Sequence, residues 1–392
     1  MNHSGSPLDD VTIVIPTMNR SLFVIRALHY YAKEQFSGWI CIGDSSEEEE
    51  FQKTNREVEL LSCQLNVMHR RYPSTEYPNE ATVVKALIEI VPTCYVCQYG
   101  DDDFLVTSGM EKCAVFLNNN LDYQAACGKY RIEFSLRDDE VYFGQIESVI
   151  KVEENDLDRA NASDRFVTYM RNALAPTYNL FRRETFQSMY EETDVAITRY
   201  FGPELLVCGV AALAGKTKTL DALTLMFQVH DQHIFSWYDQ SIYETMVDVS
   251  FSISINILRN RFVGLLVFHD QLERLQAREI VDRELWAHIY QMLGWQYKDR
   301  YRLNNGKKGK LIQRIKNTRG IGRPFPFSLS GIYWGLRKAV FRSPKYWIRA
   351  VESVKAMSST NYRFQEEFTN IYEYLLNPPP EVLKNRENYL EN

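Results

Sequence analysis

The feature that most constrains this sequence is the alternation of short β-branched runs with helical segments over its first hundred residues. The run from Val11 to Ile15 ends at Pro16, and its unbroken apolar character is typical of a strand buried on both faces. Similar strands are predicted at 39–42, 65–68 and 94–99, with helices from Asn19 to about Gly38, from Glu47 onward and over 81–91. This order predicts an α/β fold, with a mostly parallel, Rossmann-like sheet that carries helices on both faces.

The pattern changes along the rest of the chain. Strands are predicted at 124–134, 141–143 and 175–181, followed by a helix from Pro203 to just before Gly215. From about Asp248 onward helical periodicity dominates, and no further strand is predicted. We therefore expect two domains, an α/β domain of residues 1–245 and a helical C-terminal domain of residues 246–392.

Composition places the chain among ordinary globular proteins. Of its 392 residues 45% are hydrophobic and 24% charged, and no uninterrupted apolar run has the length of a membrane span, about 18 residues or more. The N-terminus lacks the basic and apolar regions of a secretory signal. The seven cysteines are irregularly spaced, and the pair Cys94 and Cys97 lacks the second ligand pair of a zinc site, which favours buried thiols. A cytoplasmic location is expected.

Basic residues are concentrated in one stretch. Residues 300–351 hold 14 of the chain's 45 Lys and Arg residues, interleaved with aromatic residues, whereas all 51 acidic residues lie elsewhere. Such a stretch suits peripheral attachment to an anionic membrane surface at its inner face, or a lipid-linked acceptor. The alternative is packing against the acidic first domain. Nucleic acid is not expected as a partner.

Three turns follow strands of the predicted parallel sheet, and ligands bind beyond the carboxyl ends of such strands. The third turn is the most informative, because Asp101 and Asp103 are two residues apart and project to the same side of an extended backbone. Two carboxylates there suit Mn²⁺ or Mg²⁺ shared with a diphosphate, whose charge the ion would offset as a leaving group departs. Asp102, between them, is expected to point away. The turns comprise residues 16–20, 43–46 and 100–103.

The other two turns offer nucleotide contacts. Thr17, Asn19 and Arg20 present backbone and polar side chains at the end of the first strand. Asp44 ends the second strand, where its carboxylate can accept hydrogen bonds from a base or ribose. Neither G-x-G-x-x-G nor G-x-x-x-x-G-K-S/T occurs, which argues against dinucleotide binding and a P-loop.

In order and spacing, segments 11–20, 43–46 and 99–104 resemble family 2 glycosyltransferases of the GT-A fold. The resemblance covers roughly residues 10 to 235. It implies that Thr17 contacts the nucleotide, that Asp44 binds the base, and that Asp101 and Asp103 hold the metal ion and the ribose or diphosphate. The full set of donor-binding residues is then Pro16, Thr17, Asn19, Arg20, Asp44, Lys85, Asp101 and Asp102.

The same resemblance implies further catalytic groups. Glu204, at a helix start, matches the position of the base that deprotonates the acceptor hydroxyl, with Asp194 as its substitute. Leu205 stands where the family usually has a second acid. His230 matches a further metal ligand, beside Asp101 and Asp103.

These residues predict a metal-dependent glycosyltransferase that moves a sugar from a nucleoside-diphosphate sugar to an acceptor hydroxyl, with inversion. The Q-x-x-R-W signature of processive synthases is absent, so single additions to a glycan or lipid-linked acceptor are expected, in surface polysaccharide or glycolipid assembly. The non-enzymatic alternative is a nucleotide-sugar-binding or scaffold protein of the same fold that has lost catalysis. A polymerase would need a basic channel, and a nucleotidyltransferase would need a glycine-rich loop after the first strand. The sequence therefore disfavours both classes.

Overall fold

In a computed structural model of the chain, one ten-stranded sheet runs through the described residues, 5–172, 178–191, 205–230, 250–305, 349–352, 354–359 and 362–383. The strands are β1 Val11–Thr17, β2 Trp39–Asp44, β3 Asn66–Arg71, β4 Tyr95–Gln98, β5 Phe104–Leu105, β6 Tyr123–Leu136, β7 Ile146–Glu153, β8 Leu180–Arg182, β9 Lys216–Gln228 and β10 Arg349–Glu352. The helices are α1 Ser21–Lys33, α2 Glu48–Leu60, α3 Glu80–Ile88, α4 Thr107–Asn119, α5 Ala162–Asn172, α6 Arg183–Tyr190, α7 Val207–Ala214, α8 Ser250–Asp270, α9 Arg274–Asn305, α10 Val354–Met357 and α11 Gln365–Leu376.

The sheet is mixed, and its N-terminal half is parallel. The order along the sheet is β10-β7-β6-β8-β4-β1-β2-β3, and β9 pairs with both β6 and β5. β1 pairs in parallel with β2 and β4, and β2 with β3, so the carboxyl ends of these four strands meet at one edge. β6 and β9 are also parallel, whereas β7, β8 and β10 run antiparallel to their neighbours.

Alternating residues of the central strands pack into two cores, one on each face of the sheet. Ile13 and Ile15 of β1 lie with the apolar residues of α1, α4 and α11. Val14, between them, lies on the other face with those of α3, α5, α6, α7, α8 and α9. This alternation is what period-two strands require when both faces are covered. The predicted α/β fold, with helices on both faces and helices near the C-terminus, is confirmed.

The predicted strand at 141–143 is wrong. That segment bends toward Gly144, whose φ of +146° lies in a region that favours glycine, and the ladder begins only at Ile146. Its carbonyls at Val141 and Tyr142 accept hydrogen bonds from Arg26 instead of from a neighbouring strand.

Two further predicted elements are only partly described. The strand predicted at 175–181 is present as β8, with residues 173–177 outside the described part. The helix predicted from Pro203 is described from residue 205, with α7 beginning at Val207.

The cysteines are all free thiols. Cys97 is buried in β4, as expected. Cys94, one residue before that strand, is exposed, so the prediction that both members of the pair are buried is wrong for it.

The chain returns to the sheet near its C-terminus, against the expectation that no strand follows residue 248. β10 pairs antiparallel with the outer side of β7. Beyond it, Phe368, Ile371 and Leu375 of α11 are fully buried in the core that contains α1. Short four-residue strands of this kind lack a sequence signal of their own. The division at residue 245 stays a prediction.

One described helix passes the length and composition test for a membrane span. Within Phe251–Asp270 of α8, a window of 18 residues has a mean hydropathy of 1.3, and 33% of that window is buried. Its residues Leu258 and Phe262 are fully buried in the second core, whereas Asn256 and Asn260 are exposed. Since a core helix passes the same test, we interpret α8 as part of the core on this face.

Candidate active site at the acidic turn

Three consecutive aspartates lie buried at the carboxyl edge of the parallel strands. Asp101, Asp102 and Asp103 follow β4 and are 3%, 4% and 2% exposed. The turn closes through a hydrogen bond from the Asp103 amide to the Gly100 carbonyl, 3.2 Å long. Burying three carboxylates is costly unless cations or hydrogen-bond donors face them, so their partners define the site.

Asp101 is held by the first turn. Thr17 Oγ1 donates to Asp101 Oδ2 at 2.7 Å, and Arg20 Nη1 lies 3.0 Å from Asp101 Oδ1. Burial and the neighbouring Asp102 raise the pKa of Asp101 to about 7, although Arg20 and Thr17 oppose that rise.

Asp102 does not point away from the site as expected. Its Oδ2 lies 2.7 Å from Arg20 Nη2 and 2.9 Å from His230 Nε2. Arg20 and the imidazole of His230 both pack against Phe23, with 4.3 Å from the guanidinium carbon to the ring and 5.2 Å between ring centroids. Asp102 thus joins the first turn to the end of β9, and Arg20 bridges two adjacent aspartates.

Asp103 has one satisfied and one unsatisfied oxygen. The Gln228 amide donates to Asp103 Oδ1 at 3.0 Å. Asp103 Oδ2 is buried and makes no hydrogen bond within the described part of the chain. Burial, with Asp102 adding to it, raises the pKa of this carboxyl well above its usual range. A buried, unpaired carboxylate oxygen is what a cation or a donor group on a ligand would satisfy.

These carboxylates suit Mn²⁺ or Mg²⁺ chemically, since both ions prefer oxygen ligands. Asp103 Oδ2 is available for such an ion. Asp101, by contrast, has both oxygens engaged, one by Thr17 and one by Arg20. Within the described ranges, no group of three or more His, Cys, Asp and Glu side chains is arranged to hold a metal ion. Asp101 would become available to an ion only if Arg20 left it.

Asp44 lies at the same edge, opposite Thr17 in the β1–β2 register. It is fully buried, and both of its oxygens have partners: the Ser46 amide at 2.8 Å and His69 Nε2 at 3.0 Å. His69 lies in β3, two residues before its end, and stacks on Phe51 with 4.3 Å between ring centroids. The sequence reading did not single out His69. The available indication in the sequence is a histidine near the end of β3, the strand next to that of Asp44.

The rest of the first turn ties the strand ends together. Asn19 has a φ of +55°, a conformation that asparagine tolerates better than most residues. Its amide donates to Ser46 Oγ at 2.7 Å, and its side-chain oxygen accepts from the Glu47 amide at 2.8 Å. Pro16 lies in β1 opposite Gly43 of β2. Asn19 therefore fixes the turn after β1 to the turn after β2.

The remaining predicted residues divide into two groups. Lys85 is on α3, and its Nζ donates to the Glu191 carbonyl, next to the end of α6, at 2.9 Å. The proposed base, Glu204, and its substitute Asp194 lie outside the described residues. The structure thus brings Thr17, Arg20, the three aspartates and His230 together, while the roles of Lys85 and Glu204 stay predictions.

A second residue that sequence reasoning missed is Arg26. It lies on the apolar face of α1, fully buried, and its Nη2 donates to the Asp102 carbonyl at 2.6 Å. Burial lowers its pKa to about 10, and Asp102 opposes that shift. The signal available in the sequence was a single charge inside the apolar run Leu22 to Leu28.

No family model matches the sequence, and no curated protein matches it. Among solved structures, the chain is similar to S. aureus TarS at 14% identity and a TM-score of 0.43, covering 70% of this chain and 43% of that one. It is also similar to TarS 1–349 in complex with UDP, at 14% identity, a TM-score of 0.43 and 78% coverage of each chain. A third structure is the mannosyltransferase PcManGT from Pyrobaculum calidifontis in complex with GDP-Man and Mn²⁺, at 12% identity, a TM-score of 0.40, and 80% and 86% coverage. This chain thus spans less than half the length of the longer TarS chain. We therefore argue its ligands from the geometry of its own site.

Proposed function

We propose that this chain is a glycosyltransferase of the GT-A type that uses a nucleoside-diphosphate sugar with Mn²⁺ or Mg²⁺. The supporting observation is the joining of Thr17 and Asp101 at the edge where Asp44 also ends its strand. That edge offers polar groups for a base, cationic groups for a diphosphate and carboxylates for a metal ion, in that spatial order along the sheet. Few other ligand classes need all three.

The roles follow from the chemistry of each group. Asp103 and Asp101 would hold the ion, which, when bound, offsets charge on the departing diphosphate. Arg20 presents a planar guanidinium suited to bidentate contact with phosphate oxygens. Asp44 and its partner His69, whose ring stacks on Phe51, lie where a base and its ribose would be recognised. These groups bind and orient the donor so that an acceptor oxygen attacks its anomeric carbon.

The acceptor half of the reaction is proposed from the resemblance alone. Glu204 would take the proton from the acceptor hydroxyl as that oxygen attacks, with inversion at the anomeric carbon. Single additions to a glycan or lipid-linked acceptor, in surface polysaccharide or glycolipid assembly, fit this scheme. We place the reaction in the cytoplasm, with residues 300–351 approaching an anionic membrane surface. Most of that stretch, residues 306–348, lies outside the described part.

A panel of nucleotide sugars tests this function in the full-length protein. Binding is measured by thermal shift and transfer by release of nucleoside diphosphate, each with and without Mn²⁺. We expect at least one donor to bind with Mn²⁺ and to release its diphosphate when an acceptor is present. Donor binding without turnover across acceptors would instead indicate a nucleotide-sugar-binding protein that has lost catalysis, and no binding of any donor would refute the proposal.

Two variants sharpen the test. Asp103→Asn removes the charge from the carboxylate with the unsatisfied oxygen, and we expect Mn²⁺-dependent donor binding to be lost while the fold persists. Glu204→Gln is expected to preserve donor binding and abolish transfer. Full activity of Glu204→Gln would assign the base to another residue.

A further inference from the structure

Arg26 holds the acidic turn from the helix side of the site. Its side chain is fully buried between the rings of Phe23 and Phe104, whose centroids lie 5.0 and 4.6 Å from its guanidinium carbon. Nη2 donates to the Asp102 carbonyl at 2.6 Å, and Nη1 donates to Gln228 Oε1 at 2.7 Å. A buried guanidinium with such partners cannot leave without exposing unpaired polar groups in the core.

Arg26 also acts on Asp103 through Gln228. The Gln228 side chain is fixed twice, by accepting from Arg26 and by donating to the Val141 carbonyl at 2.6 Å. The backbone amide of Gln228 in turn donates to Asp103 Oδ1. One guanidinium therefore fixes the backbone of Asp102 and, through a single residue, the carboxylate of Asp103.

Arg20 contacts the same turn in a different way. Its side chain is 14% exposed, and its guanidinium bridges two carboxylate oxygens, Oδ1 of Asp101 and Oδ2 of Asp102. Asp101 and Asp102 together raise the pKa of Arg20, although burial alone would lower it. Its position is the one that a divalent cation would need in order to reach Asp101.

We propose that the two arginines have different roles at this site: Arg26 is the permanent positioning residue of the acidic turn, and Arg20 is an exchangeable counter-charge that a divalent cation displaces. The proposal rests on the proposed function, because it assumes that a metal ion and a diphosphate bind here. Displaced from Asp101, the Arg20 guanidinium is free to bind oxygens of the diphosphate. The site would thus stay charge-compensated in both the free and the loaded protein.

Replacing the two arginines is expected to change the affinity for Mn²⁺ in opposite directions. Arg20→Met and Arg26→Met each remove one positive charge near three aspartates, so net charge alone would make both variants bind Mn²⁺ more tightly. The exchange role of Arg20 and the positioning role of Arg26 instead predict changes in Mn²⁺ affinity of opposite sign. We expect Mn²⁺ without nucleotide, titrated calorimetrically into the full-length protein, to bind about tenfold more tightly to Arg20→Met and about tenfold more weakly to Arg26→Met.

The same variants separate the roles toward the diphosphate. With Mn²⁺ saturating, Arg20→Met should bind UDP and GDP more weakly than the wild type does, because the guanidinium that would bind the phosphate oxygens is absent. Tighter Mn²⁺ binding to both variants would overturn the positioning role of Arg26. Unchanged or absent Mn²⁺ binding in Arg20→Met would overturn the exchange.

A measurement on the ligand-free protein covers the case in which Arg26→Met folds poorly. Arg26→Lys keeps the charge but loses the fork of donors, and Arg165→Lys is its matched control. Arg165, on α5, is another buried arginine that donates to backbone carbonyls, those of Ala212 and Leu213, and it is not part of the acidic site. We expect hydrogen exchange in a peptide spanning residues 99–106 to be about tenfold faster in Arg26→Lys and unchanged in Arg165→Lys.

Equal exchange rates in Arg26→Lys and the wild type would overturn the positioning role, whatever the protein binds. The result does not depend on sugar transfer. A donor panel without any binding would therefore refute the proposed function, while the exchange experiment would still decide whether Arg26 holds the turn.

Discussion

Thr17 Oγ1 donates a 2.7 Å hydrogen bond to Asp101 Oδ2, joining the carboxyl ends of β1 and β4. The register of the two strands explains the meeting. Val14 pairs with Gln98, and each of the two bonded residues lies three positions beyond that pair. Because parallel strands advance together, Thr17 and Asp101 reach the edge side by side. A hydroxyl at this position therefore orients the first carboxylate of the acidic turn.

Replacing Thr17 with valine keeps the shape of the side chain and removes the hydroxyl. We expect a loss of about 1–3 kcal/mol in the free energy of unfolding, because a buried carboxylate oxygen loses its donor. We also expect Mn²⁺-dependent nucleotide binding to weaken about tenfold, measured by calorimetry.

Thr12→Val is the matched control for Thr17→Val. Thr12 lies on the same strand, and its buried hydroxyl lies 2.6 Å from that of Thr93. This variant should lose stability and keep its nucleotide affinity. Equal weakening of nucleotide binding in both variants would mean that Thr17 acts through the fold alone.

The raised pKa of Asp101 makes stability depend on pH. Its pKa is about 7 in the folded protein against an ordinary value of 3.8, so between these values the folded state binds a proton that the unfolded state has released. Stability from this group is thus fully present at low pH and is lost as pH rises toward 7. We expect the unfolding free energy of the wild type to fall relative to that of Asp101→Asn between about pH 4.5 and 7.5, by on the order of 3 kcal/mol.

Denaturant titrations of both proteins across that range, without added metal, measure the difference. Other titrating groups contribute to both curves and largely cancel. Parallel pH profiles would show that Asp101 is ionised throughout, held so by Arg20.

The sequence predicted the strand–helix order and the edge of the sheet because both depend on local signals. β1, β2 and β4 are apolar runs that end at turn residues, and parallel pairing then brings Thr17, Asp44 and Asp101 together. Arg26 and His69 were missed, since their roles depend on which side chains face them across the fold. An arginine in an apolar helix has no local partner in the sequence, and its carbonyl and glutamine partners lie between 76 and 202 residues away. β10 was missed for the same reason, because a four-residue strand exists only through its pairing with β7.

The contact between α7 and α8 depends on a glycine. A Cβ on Gly209 would lie 2.5 Å from the ring of Phe262, which is fully buried and also packs against Phe166. The ring has to move and disturb this core, so we expect Gly209→Ala to lower the free energy of unfolding by about 1–3 kcal/mol.

Gly264, on α8, is the control for Gly209. A Cβ there has no atom within 4 Å, so Gly264→Ala should raise stability by about 0.5–1 kcal/mol through helix propensity. Chemical denaturation of the two variants measures both signs. Destabilisation by both changes would contradict the assignment of the Gly209 effect to close packing.

The last prediction concerns the boundary at residue 245. Phe368, Ile371 and Leu375 of α11 are fully buried in the core that contains α1, and Phe262 of α8 is fully buried in the core on the other face. A fragment of residues 1–245 would expose the surfaces that these side chains cover, at about 2 kcal/mol for each large apolar side chain. It would also lose the Tyr374 hydroxyl, which donates to the Arg26 carbonyl at 2.8 Å. We therefore expect the fragment to lack the cooperative thermal transition of the full chain, as followed by circular dichroism. A cooperative transition in the fragment would instead support an independent domain that ends near residue 245 and folds without α11.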